Sequence, residues 1–167
     1  SRAGQVILTL AAPLEIPGDR LDVAAIVDAV APSVVTITAS AAGDDVGVGA
    51  TGTGVVLSAD GEIVTNAHVI AGFPTVAVLV AGESDPRTAA VVASDPNNDL
   101  AVLRVDDASG LVPALFAGPD EIQVGDDVVA IGYALQLDGA PSVTRGIVSA
   151  LERTLETEAG VLDGLIQ

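Results

Sequence analysis

Asp60-Gly61-Glu62-Ile63-Val64-Thr65-Asn66-Ala67-His68-Val69-Ile70-Ala71-Gly72 is the stretch that decides how this chain is read. Asp60-Gly61 is a strong two-residue hairpin signal, and Glu62 to Thr65 returns from it as a β-branched strand. After Asn66-Ala67 the pattern changes. Val69-Ile70-Ala71-Gly72 suits one helical turn ended by glycine. The only histidine, His68, therefore stands where a strand gives way to a turn. A lone histidine is more often structural than functional, but a ring at a strand end is where a site can sit.

Outward from this stretch the chain reads as short strands. They are expected at 34–38, 54–58, 75–80, 89–94 and 100–105, and again at 127–132, 143–151 and near 161–166. Asp22 is placed as an N-cap, and residues 22–30 favour a short helix ended by Pro32. Residues 1–20 read as an extension, with one short strand expected at Gln5–Leu10. The division that follows is an extension (1–20), a helix with a first β-barrel (21–106), a linker rich in Gly and Pro (107–118), and a partial second barrel (119–167). Six strands close a small barrel, while three do not. The fold class is all-β, with a second barrel left incomplete.

Composition narrows the function. The chain has 167 residues, 50% of them hydrophobic, enough for a sizeable core. It carries 23 acidic and 6 basic residues, a net charge of −17, and every basic residue is arginine. Nothing in that balance neutralises phosphates, so nucleic acid is not an expected partner. The absence of cysteine removes disulfides, thiol chemistry and Cys-ligated zinc. No apolar run approaches the roughly 18 residues of a membrane-spanning helix, and the N-terminal residues do not read as a signal peptide.

Two motifs invite chemistry and are set aside. Gly47-Val48-Gly49-Ala50-Thr51-Gly52 matches a dinucleotide fingerprint, but β-patterned residues follow it where a helix is required. It is expected to be a flexible loop whose glycines permit unusual backbone angles. Asp95-Pro96-Asn97-Asn98-Asp99 spaces its oxygens like the start of a calcium loop, yet Leu100 and Asp106 stand where glycine and glutamate belong. The doublets Asp44-Asp45, Asp106-Asp107 and Asp126-Asp127 read as solvated loop charge. No metal and no cofactor is expected.

Asp99 precedes an apolar strand, Leu100 to Val105, and a carboxylate beside a buried strand needs a partner. His68 is a natural one. A carboxylate would fix the imidazole tautomer and stabilise the imidazolium. Spacing alone leaves the pairing open.

At these residues the sequence resembles the HtrA/Do (Deg) family of trypsin-like serine proteases. The matching blocks are Ala31-Pro32-Ser33-Val34-Val35, Gly52-Thr53-Gly54-Val55-Val56-Leu57, Gly61 to Ile70, Asp95 to Leu103, Gly125 to Gly132 and Ser142 to Ala150. They fall in the family's order over residues 31–167. The resemblance implies a chymotrypsin-like double barrel, with His68 as general base and Asp99 as its orienting carboxylate in a His, Asp, Ser order. It also implies unfolded or misfolded protein substrates, a homotrimer and an extracytoplasmic location. Tyr133 stands where the family pattern has asparagine.

One departure matters most. The family's nucleophile lies in a G-N-S-G-G motif shortly after a segment resembling Leu165-Ile166-Gln167. The serines here are Ser1, Ser33, Ser40, Ser58, Ser84, Ser94, Ser109, Ser142 and Ser149, and none has glycine on both sides. The expectation is a serine endopeptidase represented by a part that holds base and carboxylate and is inactive alone. Its partner would be a complementary C-terminal segment carrying the serine. Two alternatives stay open: a protease-like module that binds unfolded chains without cutting them, and a fragment with no function of its own.

Overall fold

The computed structural model describes residues 21–41, 49–118, 121–133, 141–157 and 160–167. The expected strand at Gln5–Leu10 lies outside these residues. Helix α1 (Val23–Val30) begins as expected: the Asp22 carboxylate accepts the Ala25 N–H at 3.1 Å. A short 3-10 turn, Ala31–Ser33, carries Pro32 and leads into the first strand.

Six antiparallel strands then close a barrel. They are β1 (Val34–Ser40), β2 (Gly49–Val56), β3 (Glu62–Thr65), β4 (Thr75–Leu79), β5 (Arg87–Asp95) and β6 (Leu100–Val105), in the order β1-β2-β3-β6-β5-β4 and back to β1. A single helical turn, α2 (Ala67–Ile70), follows β3. The interior is filled by Val35, Ile37, Val56, Ile63, Val78 and Leu103, all fully buried. Closure is what lets the inward-facing residues of a single layer exclude water from its inner face.

The glycine-rich stretch corrects its expected role. Residues 49–56 are strand, and Gly49, Gly52 and Gly54 do not have left-handed backbone angles. Two of these glycines are required by close approach. A Cβ on Gly52 would lie 2.6 Å from Val69 Cγ2, and one on Gly54 would lie 2.8 Å from Ile37 Cδ1. The glycines make room for α2 and for the barrel core.

The linker is tied down. Leu111 is buried against the barrel and the Ala114 N–H donates to the Val56 carbonyl at 2.9 Å. Arg87 donates to the carbonyls of Asp107 (2.6 Å) and Ser109 (2.8 Å) while its guanidinium pairs with Glu83. The bond to Glu83 raises the Arg87 pKa further, so this clamp stays charged.

Beyond the linker the strands come in two pairs: β7 (Asp127–Gly132) with β8 (Ser142–Ile147), and β9 (Arg153–Thr157) with β10 (Gly160–Leu165). The strand expected at 143–151 ends at Ile147, and β9 was not expected. Past Ile147 the chain changes partner, Ser149 and Ala150 bonding Gln167, and Glu152 takes a left-handed φ of 52° before β9 begins. The Ser149 N–H donates to the Gln167 carbonyl at 2.7 Å, which joins the two pairs. The whole is mostly β, a chymotrypsin-like fold with a partial second barrel.

Candidate active site

Strand pairing brings the site together. β3 and β6 run antiparallel with Thr65 opposite Ala101, so the turn after β3 and the residue before β6 meet at one end of the barrel. His68 lies on that turn and Asp99 on that approach. They are 31 positions apart in the chain and in contact in space.

Asp99 is held from several directions. Its Oδ2 lies 2.7 Å from His68 Nδ1, and its Oδ1 accepts the His68 backbone N–H at 2.9 Å. The Asn66 side-chain amide donates to Oδ2 at 3.3 Å and to the Asp99 carbonyl at 3.2 Å. The Ala67 N–H donates to that same carbonyl at 3.2 Å. Asp99 takes a left-handed φ of 52°, a conformation Asp tolerates better than most residues.

The preceding turn sets up that conformation. Asp95 Oδ1 accepts the N–H groups of Asn97 (3.1 Å) and Asn98 (3.4 Å), and Oδ2 accepts the Asn98 side-chain amide at 2.6 Å. These bonds, the Asn98 amide first, hold the Asp95 carboxyl below the usual carboxylate range. The oxygens that resemble a calcium loop are thus committed to their own turn.

The chemistry follows from which atoms can donate. A carboxylate only accepts, so the proton of a neutral His68 sits on Nδ1 and the lone pair on Nε2. The His68 side chain is 51% exposed and that of Asp99 only 16%. With a sheltered carboxylate behind it, the accessible imidazole can take a proton at Nε2, and the carboxylate stabilises the resulting cation.

Two threonines connect this end of the barrel to the second half. Thr65, fully buried, donates its hydroxyl to the Thr53 carbonyl at 2.8 Å. The Thr53 hydroxyl accepts the Tyr133 N–H at 2.9 Å and donates to the Tyr133 carbonyl at 3.3 Å. Tyr133 uses its backbone here, and partial burial pushes its hydroxyl pKa up. Sequence reading named His68 and Asp99 but missed Asn66 as a donor. Its signal was its place beside the histidine, in the block Thr65-Asn66-Ala67-His68.

Residues 52–166 match the model of the trypsin-like peptidase domain. The chain belongs to this family. Within it, the similarities point to the HtrA type. The chain is 41% identical over 130 residues to the serine protease PepD of Mycobacterium tuberculosis, a match covering 68% of this chain and 27% of that protein. It is 42% identical over 116 residues to a probable periplasmic serine endoprotease, DegP-like, of Bartonella henselae, covering 70% of this chain and 22% of that one. Among solved structures it superposes on the HtrA-type protease AlgW with tripeptide at a TM-score of 0.70 and 32% identity, over 80% of this chain and 41% of that one. The chain thus spans about a quarter of the length of the curated trypsin-like relatives it matches.

Proposed function

We propose that this chain supplies the general base and its orienting carboxylate to an HtrA-type serine endopeptidase that cleaves unfolded or misfolded polypeptides. The reading is carried by the grip of Asp99 on both the ring and the backbone N–H of His68. In acyl transfer, His68 Nε2 takes the proton of a serine hydroxyl as that oxygen attacks the scissile carbonyl carbon. Asp99 stabilises the imidazolium, which then gives the proton to the leaving amine. Water repeats the sequence to release the acyl group.

The nucleophile is placed outside these 167 residues. No serine here is flanked by glycines. Several have other duties: Ser33 is buried, Ser58 accepts from the backbone of Asp60 and Glu62, and Ser109 donates to Asp107. In this proposal the base-bearing unit is 21–106, 107–118 connects, and 119–167 begins the unit that the serine-bearing segment completes. The chain alone turns over no substrate. Relatives named as periplasmic support an extracytoplasmic site of action, and AlgW structures with a tripeptide and a decapeptide support a polypeptide substrate. The homotrimer rests on family resemblance.

The test is casein hydrolysis by the full-length protein. His68→Ala should lower turnover by about a millionfold, as loss of the base does in serine proteases generally. Unchanged turnover refutes the role of His68. Turnover by the isolated chain refutes the placing of the nucleophile.

A further inference from the structure

Strand β5 is the anomaly of the closed barrel. Its pairing with β4 covers only Arg87, Thr88 and Ala89, whereas its pairing with β6 continues to Asp95. Residues 90–95 are all exposed. From Val91 onward β5 has no strand beside it on the β4 side among the described residues. Val91 (48% exposed), Val92 (54%) and, across the ribbon, Leu100 (41%) present apolar side chains to solvent. The register shifts between Val91 and Ala93, and Val92 has no partner on β6. The ribbon ends in the 96–98 turn that delivers Asp99 to His68.

We propose that the free edge of β5, from Val91 to Asp95, is a docking edge where a cationic, extended polypeptide segment adds as a further strand. The inference rests on the proposed endopeptidase reading and names its substrate class. Two features select the occupant. An unpaired strand edge recognises backbone, so any extended chain with small or β-branched side chains can pair with it and an already folded one cannot. Charge then chooses among extended chains. The chain carries −17. Among the described residues, Arg87, Arg104 and Arg145 are paired with Glu83, Glu62 and Asp127, and Arg153 bonds the Gln167 side chain. Asp95 closes the edge with a carboxyl held below the usual range. Such a field attracts basic segments and disfavours pairing of this edge with the same edge of a second copy. Docking here places the substrate on the same ribbon that carries the proposed catalytic carboxylate.

The experiment uses the full-length protein carrying His68→Ala, so that probes are bound and not cut. Two fluorescein-labelled peptides of equal length are compared by anisotropy, one alternating Lys and Val, the other Glu and Val. The Lys-Val peptide should bind about tenfold tighter or better, and the gap should narrow as salt screens the field. Val92→Pro, at the position without a β6 partner, should weaken Lys-Val binding by about tenfold or more, since proline is tolerated at bulges and blocks strand addition. The double variant Val91→Arg, Val92→Arg should weaken it by like charge without altering the backbone. Both variants should unfold at the parent temperature, so that a loss of binding is not a loss of fold. Equal binding of the two peptides overturns the proposal. So does unchanged binding in both variants, or a parent dimer that Val92→Pro dissociates. A full-length protein that does not hydrolyse casein with His68 intact fails the endopeptidase reading instead, while the peptide affinities still report on the edge.

Discussion

Each strand of β1–β6 has a neighbour on both sides, whereas each strand of β7–β10 has one. The consequence is written in the side chains. Ile37, Val56, Ile63, Val78 and Leu103 are fully buried in the first half, but from residue 121 onward only Val148 and Leu162 are buried hydrophobics among the described residues. Val143, Ile147, Leu155 and Val161 are of the same types and stand exposed. Strand content is therefore not what makes a core. Closure is, because a sheet buries its inner face only when another layer or its own far side covers it.

The proposed site belongs to the closed half, and a substitution at its carboxylate tests that. Asp99→Asn in the full-length protein should keep the fold and lower kcat by about 10^4-fold, because an amide can present its N–H to Nδ1 and leave the wrong tautomer. Casein hydrolysis against an unchanged thermal unfolding curve is the measurement. A small loss would mean that the pair is structural.

A second prediction sharpens the contrast in packing. Gly54→Ala pushes a Cβ to within 3.0 Å of Ile37, Ile63 and Val35, so urea unfolding should show a cost of about 1–3 kcal/mol. Gly146→Ala, on β8, meets nothing within 4 Å and should change stability by less than about 0.5 kcal/mol. Similar costs at both sites would mean that the second half is packed as the first is.

The smallest effect concerns the turn before Asp99. Asn98→Ala should raise the Asp95 pKa toward its ordinary value, read by NMR titration. The sign follows from a depressed folded-state pKa. The bond contributes stability above the ordinary carboxylate range and loses it as pH falls through the depressed value. Parent and variant should therefore differ in stability at neutral pH and converge on acidification.

Much of this was legible in the sequence. β3, β6 and β7 fall where β-branched runs between turn residues place them, and α1 starts at its cap. His68 and Asp99 were named from residue type and setting. What escaped depends on distant partners. The glycines of β2 have no side chain to carry a pattern, so their reason appears only when Val69 and Ile37 are found against them. The run Val148-Ser149-Ala150-Leu151 reads as continuing strand, but past Ile147 the hydrogen-bond partner of Ser149 and Ala150 becomes Gln167, which the local sequence does not show. Asn66 was not singled out, because its reach to Asp99 depends on β3 pairing with β6.

The barrel's last strand ends at Val105, with Asp99 and His68 already inside it. Proteins emerge from the ribosome N-terminus first, at about 5–20 residues per second, and domains fold as they emerge. The histidine and its carboxylate can thus be aligned while the rest of the protein is still being made. Any nucleophile encoded later is born opposite a partner already in position. Under the proposed function, the order of synthesis acts as a safety catch: the proposed base is set before the proposed nucleophile exists.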